Sequence, residues 1–306
     1  MTATWRVGAI LNESLADTLR FSAWYLEQGA SGLTLLFDNP QDPAIGVLDS
    51  HPLITCVRCT AAFWDQLGHS QDVRFTKRQN AGLNWIYRQT GEDWLLNVDG
   101  DEFLYVPERS IADLLNGLPP ELEALRVETA EIVAPLSQRT GQVFRLPMDR
   151  DAARRVYRDD APLFGPRRKG LVGHSAGKSL IRVGLEGVSL RQHWAERGRG
   201  NLLDERFIGR EDKAYLLHLI GLDPEAWRRK LDWRLGARGF TVPLSERIRA
   251  AMASENSVAE LHDLHQRLHC LDNPAIDRLR SENCVLEVAI DLDANAKKHF
   301  GTSFSA

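Results

Sequence analysis

The order of apolar and polar segments in the first 40 residues places the strongest constraint on the fold. Two apolar runs of strand length, Trp5 to Leu11 and Leu33 to Phe37, flank a segment whose apolar residues repeat at helical spacing, at Leu15, Leu19, Ala23 and Leu26. Ser14 and Asp17 form a capping-box pattern at the start of that segment, and Gly29 ends it. Strand, helix and strand in this order predict a βαβ unit with a right-handed connection.

The same alternation continues along the chain. Leu53 to Val57 and Trp94 to Val98 are further strand candidates, and Phe75 to Arg88 has the pattern of a helix. Strands that alternate with helices predict the α/β class, with a doubly wound and mostly parallel sheet. Ligands of such sheets bind outside the carboxyl ends of the strands. The polar residues at those ends are Asn12, Glu13, Asp38, Asn39 and the triplet Asp99-Gly100-Asp101.

The second half of the chain mixes short strands with a helical tail. A capping-box start at Ser110 predicts a short helix, and strand candidates follow near residues 125–127, 143–146, 180–183 and 188–190. Asp223 and Pro224 are typical of a helix start, and the apolar stripe after them consists of Trp227, Leu231 and Leu235. We predict one α/β domain over residues 1–220, with a mainly helical C-terminal extension packed on it over residues 221–306.

Length and composition limit the class of protein. With 306 residues, 43% of them hydrophobic, the chain can bury a full core. No stretch reaches the roughly 18 uninterrupted apolar residues of a membrane span, and the N-terminus lacks the pattern of a secretory signal. We therefore expect a cytoplasmic protein.

Cysteine and histidine patterns offer two alternative metal sites. Cys56 and Cys59 form one CxxC without a second pair, and their alternating apolar neighbours indicate a buried strand rather than a zinc site. A second group has helical spacing and could ligate a metal, although one exposed helix with several histidines is the commoner explanation. The group consists of His262, His265, His269 and Cys270.

The charge is unevenly distributed along the chain, whose formal net charge is −4. Residues 1–144 carry 10 Lys/Arg and 19 Asp/Glu, whereas residues 145–200 carry 13 and 6. A local basic block in an acidic protein suits a diphosphate or a phospholipid surface better than a long nucleic acid, and a solvated basic face is the simpler alternative. We expect no nucleic-acid partner.

The Asp99-Gly100-Asp101 triplet is the strongest candidate for chemistry. Two carboxylates that follow a buried strand would repel each other without a cation, and hard oxygen ligands suit Mg²⁺ or Mn²⁺, which bridge substrate phosphates. An exposed Asp-Gly turn and the start of a calcium loop share the pattern. The calcium loop needs further ligands in register, whereas the apolar run Phe103-Leu104-Tyr105 follows here.

These residues resemble a known family. The run from Asp93 to Leu104 is similar to the W-hhh-D-x-D-E-F signature of bacterial glycosyltransferase family 2-like proteins with the GT-A fold. Ala9 to Glu13 and Phe37 to Asn39 resemble that family's Asn-Glu strand end and its Asp-Asn nucleotide loop. The family often continues with Ser and two Asp residues, whereas this chain has Pro40 to Pro43. The departure affects the part of the loop that would contact the base and the ribose of the nucleotide.

A second block of similarity lies in the basic segment. Gly173 to Ser179, followed by Arg182 and by His193-Trp194, resembles a Gly-His-x-x-Gly-Lys-Ser block of the same family. A P-loop would need a glycine where Val172 stands. The resemblance implies that Lys178 stabilises the departing diphosphate and that a late histidine completes the metal site, His193 before His174. His218 is expected to be a packed helix histidine.

The predicted site is therefore assigned as follows. The metal ligands are Asp99, Asp101 and His193. The residues for the nucleotide sugar are Asn12, Glu13, Asp38, Asn39, Lys77, Asp99, His174, Lys178 and Arg182, with Arg78 and Asn80 beside Lys77. The catalytic residues are Lys178 and a carboxylate base, for which Glu131 is preferred over Glu128, Asp159-Asp160 and Glu211-Asp212.

The predicted activity is that of a hexosyltransferase-like, Mn²⁺- or Mg²⁺-dependent glycosyltransferase in cell-surface glycan or polysaccharide synthesis. Its expected partners are a UDP-sugar and a glycan or lipid-linked acceptor, with peripheral contact at the inner face of the membrane. One alternative is a sugar-nucleotide nucleotidyltransferase, although the Gly-rich basic loop that usually follows the first strand is missing after Leu11. A noncatalytic carbohydrate- or partner-binding protein with a transferase-like fold is the other.

Overall fold

The computed structural model describes residues 2–135, 141–198, 200–237 and 239–301. The chain forms two compact units that alternate along the sequence. The first unit comprises Met1–Glu128, Gly177–Leu216 and Asp291–Ala306, and the second comprises Thr129–Ala176 and Leu217–Ile290. These units do not follow the predicted boundary at residue 220, because the chain leaves the first unit after Glu128 and returns to it twice. A division into a catalytic domain and an extension stays a prediction.

The elements are numbered in chain order. The strands are β1 (Trp5–Leu11), β2 (Gly32–Phe37), β3 (Ile54–Arg58), β4 (Trp94–Asn97), β5 (Glu102–Tyr105), β6 (Ala124–Val127), β7 (Thr129–Pro135), β8 (Gln142–Arg145), β9 (Lys178–Arg182), β10 (Val188–Leu190), β11 (Ala195–Arg197), β12 (Asn201–Leu202), β13 (Glu205–Ile208), β14 (Tyr215–His218), β15 (Cys270–Leu271) and β16 (Val285–Val288). The helices are α1 (Leu15–Glu27), α2 (Pro43–Leu48), α3 (Ala61–Gln66), α4 (Phe75–Gln89), α5 (Ile111–Asn116), α6 (Arg150–Tyr157), α7 (Ala161–Phe164), α8 (Pro224–Arg229), α9 (Leu231–Gly236), α10 (Val242–Ala253), α11 (Ser257–His269), α12 (Asn273–Ser281) and α13 (Leu292–Phe300).

The first unit is built on a mixed sheet which, over the described residues, has the strand order β13-β6-β9-β4-β1-β2-β3. Its neighbouring strands are parallel except at β9, which runs antiparallel to both β4 and β6. The predicted α/β class with a mostly parallel sheet is therefore confirmed. The first unit also contains a small antiparallel sheet of β10, β11 and β12.

The first βαβ unit forms as the sequence predicts. The Ser14 hydroxyl accepts a hydrogen bond from the Asp17 N–H at 3.1 Å and caps α1, and Gly29 ends the helix with a φ of +79°. β1 and β2 pair in register to their last residues, Leu11 and Phe37. The residues after both strands therefore lie at one edge of the sheet.

The C-terminal helix α13 belongs to the first unit and packs on α1. The Arg20 guanidinium donates to Asp293 at 2.6 Å, and Lys298 and His299 both contact Glu27. The last described helix is thus tied back to the first helix of the chain.

The second unit contains strands β7, β8, β15 and β16 and has its own core. β8 runs antiparallel to β7 and to β16, and β15 adds to β7 in parallel. Helices α6 to α12 surround a core that includes Val156, Phe164, Trp227, Ile248 and Leu268. Among the described residues, no helix is long and apolar enough to cross a membrane.

Three histidine predictions need correction here. His218 ends strand β14 and is not in a helix. Helix α11 is not exposed along its whole surface, because two of its histidines, His265 and His269, are each only 1% exposed. His265 lies one turn from Leu261 and Leu268 on the buried face of the helix, and His269 lies one turn beyond His265. Within the described part of the chain, they do not join Cys270 in a group of three ligand atoms within 4.8 Å.

Candidate functional site

The loops that follow β1 and β4 meet at the carboxyl end of the parallel strands. A Cβ atom placed on Gly100 would lie 2.9 Å from Glu13 Cγ and 2.9 Å from Leu11 Cδ2. A side chain at position 100 would force the Glu13 and Leu11 side chains to move, so the glycine of the triplet permits this close approach. The predicted proximity of Glu13 to the Asp99-Gly100-Asp101 triplet is thus present in the structure.

The Asp99 carboxylate is held by two side chains. Its Oδ1 atom accepts a hydrogen bond from Gln79 Nε2 at 2.8 Å, and its Oδ2 atom accepts one from Lys178 Nζ at 2.7 Å. The Asp99 side chain is 37% exposed. Its orientation is therefore fixed from two sides while part of the carboxylate faces solvent.

Lys178 joins Asp99 to a second, buried carboxylate. Lys178 Nζ lies 3.3 Å from Glu102 Oε2, and neither of these two side chains is exposed. The same Glu102 oxygen accepts a hydrogen bond from the Asp99 N–H at 2.9 Å. Burial lowers the pKa of Lys178, but the Asp99 and Glu102 carboxylates outweigh that effect and raise the pKa, so the amine is an ammonium.

A tight turn delivers Lys178 to this position. Gly177 has a φ of +70°, and a Cβ atom there would lie only 2.1 Å from the Val127 carbonyl oxygen. Lys178 pairs with Val127 at the carboxyl end of β6. Glycine at 177 is therefore the residue that lets β9 start at the edge where Asp99 lies.

Arg182 lies at the opposite end of the same strand. It pairs with Trp94, the first residue of β4, and its guanidinium donates to the carbonyl oxygens of Leu122 and Pro119 at 3.0 and 3.2 Å. Four residues of extended chain separate Arg182 from Lys178, about 13 Å. The predicted nucleotide contact of Arg182 has no support in this geometry, because an antiparallel β9 carries its last residue away from the site.

The nucleotide-loop candidates after β2 are held by helix α4. Arg78 forms an ion pair with Asp38 at 2.5 Å, with both side chains less than a fifth exposed. The Asn39 side chain accepts from the Gln41 N–H at 3.0 Å in a local turn. Lys77 is exposed on α4. The charge of Asp38 is thus compensated within the unit, and Lys77 stays a predicted surface contact for the donor.

His193 lies in the segment that covers the end of β4. The Asn97 side-chain amide donates to the Arg191 carbonyl oxygen at 2.9 Å, and Gln192 is hydrogen-bonded to Gln79. His193 Nδ1 lies 3.2 Å from the Gly177 carbonyl oxygen. Over the described residues, His193 does not form a group of three ligand atoms within 4.8 Å with Asp99 and Asp101. Its role as a metal ligand stays a prediction.

The carboxylates of this edge fit a divalent cation. An oxygen of Asp99 lies within 4.8 Å of an oxygen of Glu102, and Asp101 stands between them in the chain. Asp99 and Glu102 both contact the buried Lys178 ammonium, and Asp99 keeps part of its carboxylate exposed. The oxygen donor set suits Mg²⁺ or Mn²⁺ with water completing the coordination.

Glu131, the preferred catalytic base, lies in the second unit and is fully buried. It forms an ion pair with Arg145 at 2.7 Å and accepts from the backbone N–H groups of Val172 and Gly173 at 2.7 and 2.5 Å. Burial raises the pKa of Glu131, but Arg145 first and His218 next outweigh it, so the pKa is lowered. A carboxylate that is buried, paired and less basic than usual cannot reach an acceptor hydroxyl, so this geometry supports a structural role.

The remaining candidates have the following surroundings within their own units. His174 is in the second unit, with its ring 5.7 Å from that of His218. Asp160 is paired with Arg267 in the second unit, and Asp212 is paired with Arg206 at 2.8 Å in the first. No carboxylate is singled out as base by these contacts.

Two residues of the cluster were not among the predicted site residues. Glu102 had a sequence signal, because it stands inside the D-x-D-E-F segment. Gln79 had none, since its contact with Asp99 joins residues 20 positions apart through the packing of α4 on the sheet.

Comparisons with known proteins add little to this picture. No family model matches the chain, and no curated protein matches it. It is similar to HddC from Yersinia pseudotuberculosis, with a TM-score of 0.38, 11% identity and coverage of 76% of this chain and 100% of that chain. It is also similar to the mannosyltransferase PcManGT from Pyrobaculum calidifontis in complex with GDP-Man and Mn²⁺, with a TM-score of 0.41, 12% identity and coverage of 92% and 74%. At such scores neither likeness carries an argument about activity, which rests on the residues of this chain.

Proposed function

We propose that the chain is a metal-dependent, hexosyltransferase-like glycosyltransferase with a GT-A-like domain, which moves a sugar from a nucleotide diphosphate donor to an acceptor hydroxyl. One observation carries the proposal: Asp99 and Glu102 converge on the buried ammonium of Lys178 at the carboxyl end of β4. Sheets of this kind bind ligands at that edge. Carboxylate oxygens at this edge are the kind of ligand that Mn²⁺ and Mg²⁺ prefer.

The metal and the protein have separate tasks in this mechanism. When bound, the divalent ion supplies charge compensation for the donor diphosphate as it departs. Asp101 is the principal candidate ligand, with Asp99 sharing the ion. Gln79 and Lys178 fix the orientation of the Asp99 carboxylate before any substrate arrives, which reduces the reorganisation that the reaction needs. Lys178 thus acts on the diphosphate through Asp99 and through its charge, since its ammonium is covered.

The donor and acceptor follow from the predicted loops. We propose a UDP-sugar as donor, held by the residues that follow β1 and β2, namely Asn12, Glu13, Asp38 and Asn39, with Lys77 and His174 as further contacts. The Asp38–Arg78 ion pair supports a fixed loop at this place. A glycan or a lipid-linked acceptor would then place the activity in cell-surface glycan or polysaccharide synthesis.

Nucleotide titration tests the proposal. Isothermal titration with UDP, GDP and CDP, with and without Mn²⁺, should show one nucleotide whose affinity rises when the metal is present. Asp101→Ala should remove that increment, because the variant lacks the principal candidate ligand of the metal. Asp65→Asn, an exposed carboxylate on α3, is the matched control and should bind as the wild type does. Binding that is indifferent to the metal and to Asp101→Ala would end the transferase proposal.

Product analysis separates the proposal from its alternatives. A transferase releases nucleoside diphosphate from the donor in the presence of an acceptor. A nucleotidyltransferase instead releases pyrophosphate from a nucleoside triphosphate and a sugar phosphate, and a noncatalytic binding protein releases neither. Release of pyrophosphate alone would replace the transferase with the nucleotidyltransferase.

A further inference from the structure

A cavity of about 480 Å³ lies in the second unit, between helix α8 and the first two turns of helix α11. All of its lining residues belong to this one unit. Cavities of roughly 300–1,000 Å³ are typical of small-molecule sites in proteins. The candidate metal site shares no residue with this cavity, so the cavity calls for an explanation of its own.

Two buried side chains in the cavity wall have an unused hydrogen-bonding atom. Trp227 and His265 both line the cavity, and they are 3% and 1% exposed. Among the described residues, neither Trp227 Nε1 nor His265 Nδ1 has a hydrogen-bond partner. The two rings meet edge to face with their centroids 5.3 Å apart, so both belong to one small part of the wall. A buried polar group without a partner destabilises a fold, and a molecule bound in the cavity can supply what the chain does not.

The two unused atoms have opposite hydrogen-bonding roles. His265 Nε2 lies 2.8 Å from the Gly221 carbonyl oxygen, which can only accept, so Nε2 carries the ring proton. Burial lowers the pKa of the His265 imidazole, so the ring is neutral at pH 7 and its Nδ1 atom is an acceptor. Trp227 Nε1–H can only donate. A ligand that satisfies this wall must therefore both donate and accept.

The start of helix α11 adds further donors to the wall. Val258 and Ala259 line the cavity in the first turn of this 13-residue helix, where no helix carbonyl is in position to accept from their N–H groups. The N-cap residue Asn256 makes no side-chain hydrogen bond to that turn. These N–H groups favour a ligand with acceptor oxygens.

The charges of the wall disfavour an anionic ligand. Glu225 and Glu255 are exposed lining residues, and Arg228, which also lines the cavity, is paired with Glu225 at 2.7 Å. A phosphate dianion or a carboxylate has no proton to donate to His265 Nδ1 and would be repelled by the two glutamates. Hydroxyl groups both donate and accept, and carboxylates accept from them. Val258, which is 65% exposed, offers apolar contact to the carbon atoms of a ring.

We propose that this cavity, which we call the α11 cavity and define by Glu225, Trp227, Val258, Ala259 and His265, binds an uncharged sugar residue, either a free hexose or the end of a glycan. Sugar hydroxyls accept from the indole N–H and from the first turn of α11, and they donate to the imidazole and to the carboxylates. The proposal goes beyond the transferase activity. Because the α11 cavity and the candidate metal site share no residue, either proposal can fail without the other.

Nuclear magnetic resonance of the full chain labelled with ¹⁵N-tryptophan tests this inference. The Trp227 indole N–H signal is assigned as the one that disappears in Trp227→Phe. Glucose, mannose and N-acetylglucosamine are the probes, and at least one should shift this signal saturably, with a Kd of roughly 1–10 mM. Glucose 6-phosphate should bind more weakly than glucose because it is an anion. Uridine, an uncharged ligand with an amide edge, should leave the signal unchanged.

Two variants locate the binding, with the sugar signals observed by saturation transfer. Ala259→Trp places a large side chain in the cavity from an exposed position and should abolish binding. Ala250→Trp, at an exposed position on α10 of the same unit, is the matched control and should bind as the wild type does. Trp227→Phe keeps an aromatic ring and removes the N–H, so it should weaken binding about 3- to 10-fold.

Circular dichroism establishes that each variant is folded. If Trp227→Phe does not fold, the comparison of Ala259→Trp with Ala250→Trp decides the matter, because both changes are made at exposed positions. A Trp227 signal that none of the three sugars shifts overturns the proposal. Uridine or glucose 6-phosphate that binds as tightly as the best sugar, or an equal loss in the two alanine variants, overturns it as well.

Discussion

Replacement of Lys178 by methionine is the sharpest test of the carboxylate cluster. The change keeps the length and apolar stem of the side chain and removes the ammonium that contacts Asp99 at 2.7 Å and Glu102 at 3.3 Å. Both oxygens then lose their cation. Glu102 is the more affected of the two, because its side chain is not exposed at all.

The magnitude follows from the burial of each partner. Removal of one partner from a buried ion pair costs about 3–5 kcal/mol, since the other charge stays in the interior without compensation. Glu102 carries this penalty in full, whereas solvent screens much of the Asp99 contribution at 37% exposure. We expect Lys178→Met to lower the free energy of unfolding by about 3 kcal/mol at pH 7.

The pH dependence of the difference is a second signature. The pKa of Lys178 is raised in the folded protein, so its stabilising contribution is fully present below the unfolded-state pKa of about 10.4 and is lost as pH rises through the folded-state pKa. The difference between wild type and Lys178→Met should therefore be fully present below the unfolded-state pKa of lysine and shrink as pH rises through the folded-state pKa of Lys178.

Urea unfolding followed by circular dichroism, together with hydrogen exchange of β4 and β9, measures the effect. Lys77→Met, which removes an exposed lysine of the same unit, is the control and should change the free energy of unfolding by less than about 0.5 kcal/mol. A Lys178→Met deficit below about 1 kcal/mol at pH 7, or one equal to that of Lys77→Met, would refute the reasoning, because a buried charge pair cannot be removed at so small a cost.

Three further predictions concern other parts of the two units. Gly177→Ala should destabilise the first unit by about 2 kcal/mol or more, as measured by urea unfolding. The cost arises because alanine would be strained in the left-handed conformation and its Cβ atom would clash with the Val127 carbonyl oxygen. Glu131→Gln should lower the free energy of unfolding by about 3 kcal/mol, because the ion pair with Arg145 is lost. The pH at which the transferase rate is half-maximal should stay unchanged. A shift of that pH would restore Glu131 as the base. The pKa of Glu27 is lowered chiefly by Lys298, so the contribution of Glu27 to stability is present above its unfolded-state pKa and is lost as pH falls through its folded-state pKa. Hydrogen exchange of α13 should therefore accelerate on acidification in the wild type. The Glu27→Gln variant should show no such acid dependence.

The local sequence determined the first βαβ unit almost completely. Alternation of apolar runs and a helical repeat predicted β1 to the residue, and Ser14 and Gly29 predicted where α1 begins and ends. These signals act between residues a few positions apart, so they can be interpreted without knowledge of the partners. The order of strands and helices then predicted the parallel sheet and the edge at which Glu13 meets Gly100.

The tertiary structure alone decided which side chains meet at that edge. The direction of β9 places Lys178 beside Asp99 and sends Arg182 to the far end of the sheet, and no local pattern distinguishes a parallel from an antiparallel strand of this length. The same holds for the second unit, where Arg145, 14 positions beyond Glu131 on the neighbouring strand, turns an expected base into half of a buried ion pair. The sequence determines what each residue can do chemically. Pairing across strands determines burial and charge compensation, and these two properties decide which carboxylate stays available for a metal or a substrate.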